Sequence, residues 1–159
     1  MMPNDWLYYG LLGLLAIALL TAAFTDMRRR QIDNWLNAAV ALTAPLYWWA
    51  AGYTLWPDVA MQFGFAVAVA AVLIGLWTLK VIGGGDIKLL AALALWIAPT
   101  SYLTLVVVMA LAGGLLTVLI AAFHIAARRK GRPAIPYGVA IAIGGLWVLS
   151  LDYLPGQAV

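Results

Sequence analysis

Cysteine and glutamate are absent from this sequence, histidine occurs once, and charged residues make up only 9% of the chain. Without cysteine there is no disulfide, no thiolate nucleophile and no thiolate metal site. A lone histidine, His124, argues against a histidine-built metal centre and against a Ser-His-Asp triad. Neither a metal nor a cofactor is expected. The scarcity of charge also excludes a soluble globule, whose residues would be roughly 25% charged. The carboxylates left for proton-transfer chemistry are Asp5, Asp26, Asp33, Asp58, Asp86 and Asp152.

What the chain has in quantity is apolar sequence, 66% of its 159 residues. The pattern predicts an all-α, polytopic membrane protein in which residues 1–159 form a single membrane-embedded domain. Six spans are expected: Trp6 to Phe24, Trp35 to Ala51, Val59 to Val81, Ile87 to Ala98, Tyr102 to Ala127 and Val139 to Leu154. The first run is followed, not preceded, by arginines, so it is expected to stay as a span rather than act as a cleaved signal. The fourth is too short to cross a hydrocarbon core of about 30 Å unaided. It is expected to start below the membrane surface, or to lie beside thinned bilayer or buried protein, and to leave a water path to Asp86, open to a probe at residue 87.

Charge placement orients this layout. Arg28, Arg29, Arg30, Lys80, Lys88, Arg128, Arg129, Lys130 and Arg132 all fall in alternate loops, which predicts that those loops face the cytoplasm and that both termini lie outside. Asp26, Asp33 and Asp86 then share the cytoplasmic side. Tyr8, Tyr9, Tyr47, Trp48, Trp49, Tyr53, Trp56, Tyr102 and Tyr153, with Trp6, read as an interfacial aromatic belt on the opposite side. Gly64, Gly75, Gly113, Gly114, Gly144 and Gly145 read as sites of close helix packing.

The stretch Ile82-Gly83-Gly84-Gly85-Asp86-Ile87-Lys88 needs a different explanation. Three glycines leave room for a backbone to approach Asp86 and permit φ > 0. Asp86 and Asp26 sit at matching depth on different spans. Two carboxylates brought together hold one proton between them and can act as acid and base. Plainer readings exist. Asp86 could cap a helix, Asp26 could pair with Arg29 or Arg30 one turn on, Asp33 reads as the cap of the second span, and Lys88 as an interfacial anchor. His124 reads as a snorkelling or hydrogen-bonded residue. The glycine run lacks the spacing of a phosphate loop or a dinucleotide fingerprint, and nothing points to nucleic acid.

Gly83-Gly84-Gly85-Asp86 resembles the Gly-x-Gly-Asp motif of intramembrane aspartyl proteases. With Ile87-Lys88-Leu89, with Asp26 followed by basic residues and Ile32-x-Asn34, and with Pro136-Tyr137-Gly138 before the last span, the chain is similar to the type IV prepilin peptidase family over residues 20 to 147. The resemblance implies a leader peptidase cutting prepilin-like membrane proteins at the cytoplasmic face of the inner membrane, just before an apolar helix. It implies Asp26 and Asp86 as the catalytic pair, with Gly83, Gly85, Lys88, Pro136, Tyr137 and Gly138 as motif or substrate-positioning residues. The short form is most similar to the peptidases of Tad/Flp pilus systems and to archaeal preflagellin peptidases. It lacks the cysteine-bearing domain of members that also methylate the cleaved pilin, so methyl transfer is not expected. Asp33 stands where the family often has proline. Prepilin leaders are basic, and so is this face. Two rival readings remain from the residues alone: a small proton- or cation-coupled transporter using intramembrane aspartates, and an assembly subunit without chemistry.

Overall fold

The computed structural model describes residues 5–128 and 135–153. Arg129, Lys130, Arg132 and the extreme termini lie outside the described residues. Among those described there are six α-helices and no strand: α1 (Asp5–Arg29), α2 (Asn34–Ala50), α3 (Ala60–Thr78), α4 (Gly84–Leu93), α5 (Pro99–Ala126) and α6 (Tyr137–Val148). A five-residue turn, Leu55–Val59, leads into α3 with Trp56 extended, and Leu149–Tyr153 widens the end of α6. Among the described residues, three stretches are long and apolar enough to cross a membrane: Asp5–Arg29, Leu55–Thr78 and Pro99–Ala126.

The six helices follow the six apolar runs in order, but several ends differ. Hydropathy would stop the first span at Phe24, whereas α1 continues to Arg29 and carries Asp26 inside the helix. Thr25 to Arg29 include good helix formers, and nothing there breaks the chain. At the fourth run the helix starts earlier, at Gly84, so Asp86 is its third residue and Gly83 the N-cap. The three long helices end alike. Arg30, Lys80 and Arg128 take left-handed φ values of 54°, 58° and 49°. After α3, Lys80 N–H donates to Trp77 O and Val81 N–H to Leu76 O, a full Schellman closure.

Burial separates two kinds of helix. In α5 only Tyr102, Leu105 and Gly113 of 28 residues are buried; α3 buries only Gln62, Ala66 and Leu73. Such apolar, mostly exposed helices suit a lipid surround. The short helices are interior. α4 packs on α2, α3 and α6, and α6 packs on α1, α4 and α5. Two glycines let α6 in. A Cβ at Gly144 would lie 2.7 Å from Leu105 O on α5, and one at Gly145 2.8 Å from Leu19 Cδ1 on α1. Gly113 meets Tyr137 and Ala140 at ordinary contact distance. The packing reading fails for Gly64, Gly75 and Gly114, which face open space.

A ten-residue helix spans about 15 Å and ends inside the bundle, where its last carbonyls need donors. Side chains supply them. Trp48 Nε1–H donates to Leu95 O at 2.7 Å, Tyr102 O–H to Leu90 O at 3.0 Å, and Gln62 Nε2 to Ala94 O and Ile97 O at 2.7 and 2.9 Å. Trp96 Nε1–H reaches Val40 O on α2, and Tyr153 Oη accepts from Ala98 N–H. Tyr47 stacks between Tyr8 and Trp96, with centroids 5.6 and 4.9 Å away. This corrects the belt reading. Tyr47, Trp48 and Tyr102 are buried structural residues, while Trp6, Trp49 and Trp56 are exposed as interfacial anchors would be.

Candidate active site

The basic residues described, Arg28, Arg29, Arg30, Lys80, Lys88 and Arg128, all lie at or near the end of the bundle opposite the aromatic cluster. There α1 and α3 end, α2, α4 and α6 begin, and a polar cavity of about 490 Å³ opens. Asp26, Asp33 and Asp86 line it with Arg30, Lys88 and the backbone of Gly83, Gly84 and Gly85.

Asp26 is buried on the inner side of α1. Its Oδ2 accepts a hydrogen bond from Gly138 N–H at 2.7 Å. Gly138 is the second residue of α6, where N–H groups have no partner within the helix and the dipole favours an anion. Pro136 is the α6 N-cap and supplies no side-chain cap. Asp26 therefore caps α6 from another helix. Any side chain at 138 would collide with it, since a Cβ there would stand 2.9 Å from both Asp26 Cβ and Asp26 Oδ2. The Arg30 charge acts on the Asp26 carboxylate alongside this bond, while Arg30 N–H donates to the Asp26 backbone oxygen.

Asp86 approaches from α4. It is not the helix cap, because Gly83 holds that place in an extended conformation, φ −68° and ψ 146°. None of the three glycines takes φ > 0; among the described glycines only Gly52 does. Their use is space. A Cβ on Gly83 would sit 2.9 Å from Asp86 Oδ2, and one on Gly85 3.3 to 3.6 Å from the Cβ and backbone of Ile32. The loop between α1 and α2 thus lies directly on the glycine turn. Burial first, and then the negative charge of Asp26, push the Asp86 carboxyl up to about 6. At near-neutral pH this side chain can carry a proton.

Asp33 is the N-cap of α2 by position, and its backbone oxygen accepts from Leu36 and Asn37 N–H, but its side chain makes no cap bond. Lys88 Nζ donates to Asn34 Oδ1 at 2.7 Å, tying α4 to the start of α2. On the other side of Asp86 lies an apolar cavity of about 290 Å³, formed by Leu90, Met109, Ile141 and the ring of Tyr137. Ile87 is buried, and it also lines a cavity with Trp77, Gly84 and Lys88, while Asp86 itself opens onto the polar cavity. His124, in the last turn of α5, lies outside the cavity's lining.

Asp26, Asp86, Gly83, Gly85 and Lys88 thus come together in one cavity, Gly138 touches it through Asp26, and Tyr137 flanks Asp86. Pro136 takes part only as the residue before α6. Asn37 escaped the sequence reading. It is buried and sends Nδ2 toward Gly85 O at 3.4 Å, while its Oδ1 has no partner. Its signal was available: an asparagine one turn after Asn34 in an otherwise apolar run.

No curated protein and no solved structure matches the chain. Residues 13–127, which contain both cavity aspartates and the glycine turn but stop short of Gly138, match the type IV leader peptidase family, and the chain belongs to that family.

Proposed function

We propose that this protein is a six-span aspartic endopeptidase of the inner membrane. It removes the leader from a prepilin-like membrane protein at the cytoplasmic face, with Asp26 and Asp86 as the catalytic pair. The observation that carries the reading is the shared cavity: two carboxylates from different helices line one polar space at the basic end of the bundle.

The two carboxylates have different duties. Asp26, whose charged form Gly138 N–H and the nearby Arg30 favour, serves as the base and takes a proton from water. The hydroxide oxygen bonds to the carbonyl carbon of the leader peptide bond. Asp86, whose carboxyl burial and the Asp26 charge push up to about 6, acts in its protonated form and gives its proton to the carbonyl oxygen. On collapse Asp86 takes that proton back, Asp26 delivers its own to the leaving nitrogen, and the C–N bond breaks. The products are a leader carboxylic acid, which passes its proton on as it ionises, and a free amine on the mature chain. A basic leader is accommodated because the cavity itself holds three aspartates against Arg30 and Lys88, although the surrounding face is basic.

The transporter reading is not favoured. Among the described residues the buried polar side chains are Asp26, Asn37 and Gln62, and Gln62 is committed to two carbonyls. They do not form a string of ionisable groups across the bundle. The test is the purified full chain in liposomes, given a prepilin-like substrate and read by mass spectrometry. One cut immediately before the apolar helix is expected. Proton or cation flux without any cut would overturn the assignment.

A further inference from the structure

α2 and α3 both pack on α4 but leave a groove of about 490 Å³ between them. Its three sides share one spacing. On α2 the lining residues run i, i+3, i+4, i+7 from Asn34 to Ala41; on α3 they run the same way from Phe63 to Ala70; on α4, from Lys88 into the turn at Leu95. Each helix therefore turns a single face inward. Half of the lining residues are alanine. Small side chains on three parallel stripes make a trough into which another helix backbone can come close.

Resting on the proposed leader peptidase activity, we propose that this trough seats the apolar membrane-spanning helix of the substrate, the one that follows the cut. Three observations favour that occupant. Asn34 and Lys88 line both the trough and the aspartate cavity, so the two spaces are continuous. A helix seated in the trough begins beside Lys88, and the bond before it falls in the cavity. Finally, Asn37 lines the trough, is 5% exposed, and leaves Oδ1 with no donor. A buried orphan acceptor is costly, and its Nδ2 is already turned toward Gly85 O. A hydroxyl or amide on an incoming helix satisfies it; a lipid acyl chain has nothing to donate.

The natural absence of cysteine makes the test direct. The full chain carrying Asp86→Asn, which keeps substrate uncut, receives either Ala38→Cys on α2 or Val67→Cys on α3. It is reconstituted in liposomes with a prepilin-like substrate bearing one cysteine, moved stepwise along its apolar helix, and oxidised. Disulfides from both walls are expected, recurring every three or four substrate positions. Val72→Cys, on the opposite face of α3 and 64% exposed, is expected to give none. No disulfide at 38 and 67, as in a lipid-filled trough, or equal yield at 72, would overturn the proposal. Cleavage by the unsubstituted chain is scored separately. Cutting without trough disulfides removes the trough alone, whereas disulfides without cutting remove the peptidase reading and leave the trough.

Discussion

The two ends of this bundle solve opposite problems with the same short helix. At its C-terminal end α4 stops inside the protein, and Trp48, Gln62 and Tyr102 close its free carbonyls while Tyr47 is clamped between Tyr8 and Trp96. At its N-terminal end three glycines strip side chains away, and of the three carboxylates in the space only Asp26 has a hydrogen-bond donor among the described residues. One end gains order from satisfied polar groups. The other keeps a carboxyl out of its ordinary state, which costs stability and, in the proposed mechanism, provides a proton to transfer. Substitutions at the glycine end should therefore remove activity and spare stability, and those at the aromatic end should do the reverse.

The largest effect is expected at the carboxylates. Asp86→Asn should abolish turnover while leaving the melting temperature unchanged or higher; a lower melting temperature would make Asp86 a structural residue. Next is Gly138→Ala. Its methyl would collide with Asp26, and a displacement near 1 Å should cost about a hundredfold in kcat, read in the cleavage assay with accumulation as control.

The pH dependence follows from Asp86. In its proposed role as acid it must be protonated, so kcat/KM should fall as pH rises through the region near 6, well above an ordinary carboxylate. The titration belongs to the pair and is measured as one limb of the profile. At the aromatic end, Gln62→Leu leaves Ala94 O and Ile97 O without their side-chain donor. It should cost about 1–3 kcal/mol of stability with kcat nearly unchanged, measured by denaturation in detergent. Smallest is Lys80→Gly. It relieves a left-handed residue outside both regions and should stabilise by no more than about 1 kcal/mol.

The sequence made one of these ends more legible than the other. Hydropathy located six helices in order, because an apolar run long enough for a helix has few alternatives in lipid. The glycine end was legible through a charge where none belongs, and the motif resemblance led to Asp26, Asp86 and Gly138. The bond between Asp26 and Gly138 was not, since it joins residues 112 apart and depends on how α6 enters the bundle. The aromatic end was misread in part. Tryptophan and tyrosine suit an interface and a buried carbonyl equally well, and only packing decides that Trp48 closes Leu95 O while Trp49, one residue on, faces outward. Asn37 and Gln62 passed as isolated polar residues because their partners lie on α4, an element whose end hydropathy placed several residues late.

The central claim is that Asp26 and Asp86 act as one catalytic unit. Its most direct measurement is the cleavage rate of the intact chain, Asp26→Asn, Asp86→Asn and the double variant, on one prepilin-like substrate in liposomes. Residues that act as a unit are not additive. All three variants should be equally inactive, the double no worse than either single. A single variant that retains cleavage, or two partial losses that multiply in the double, would contradict the account.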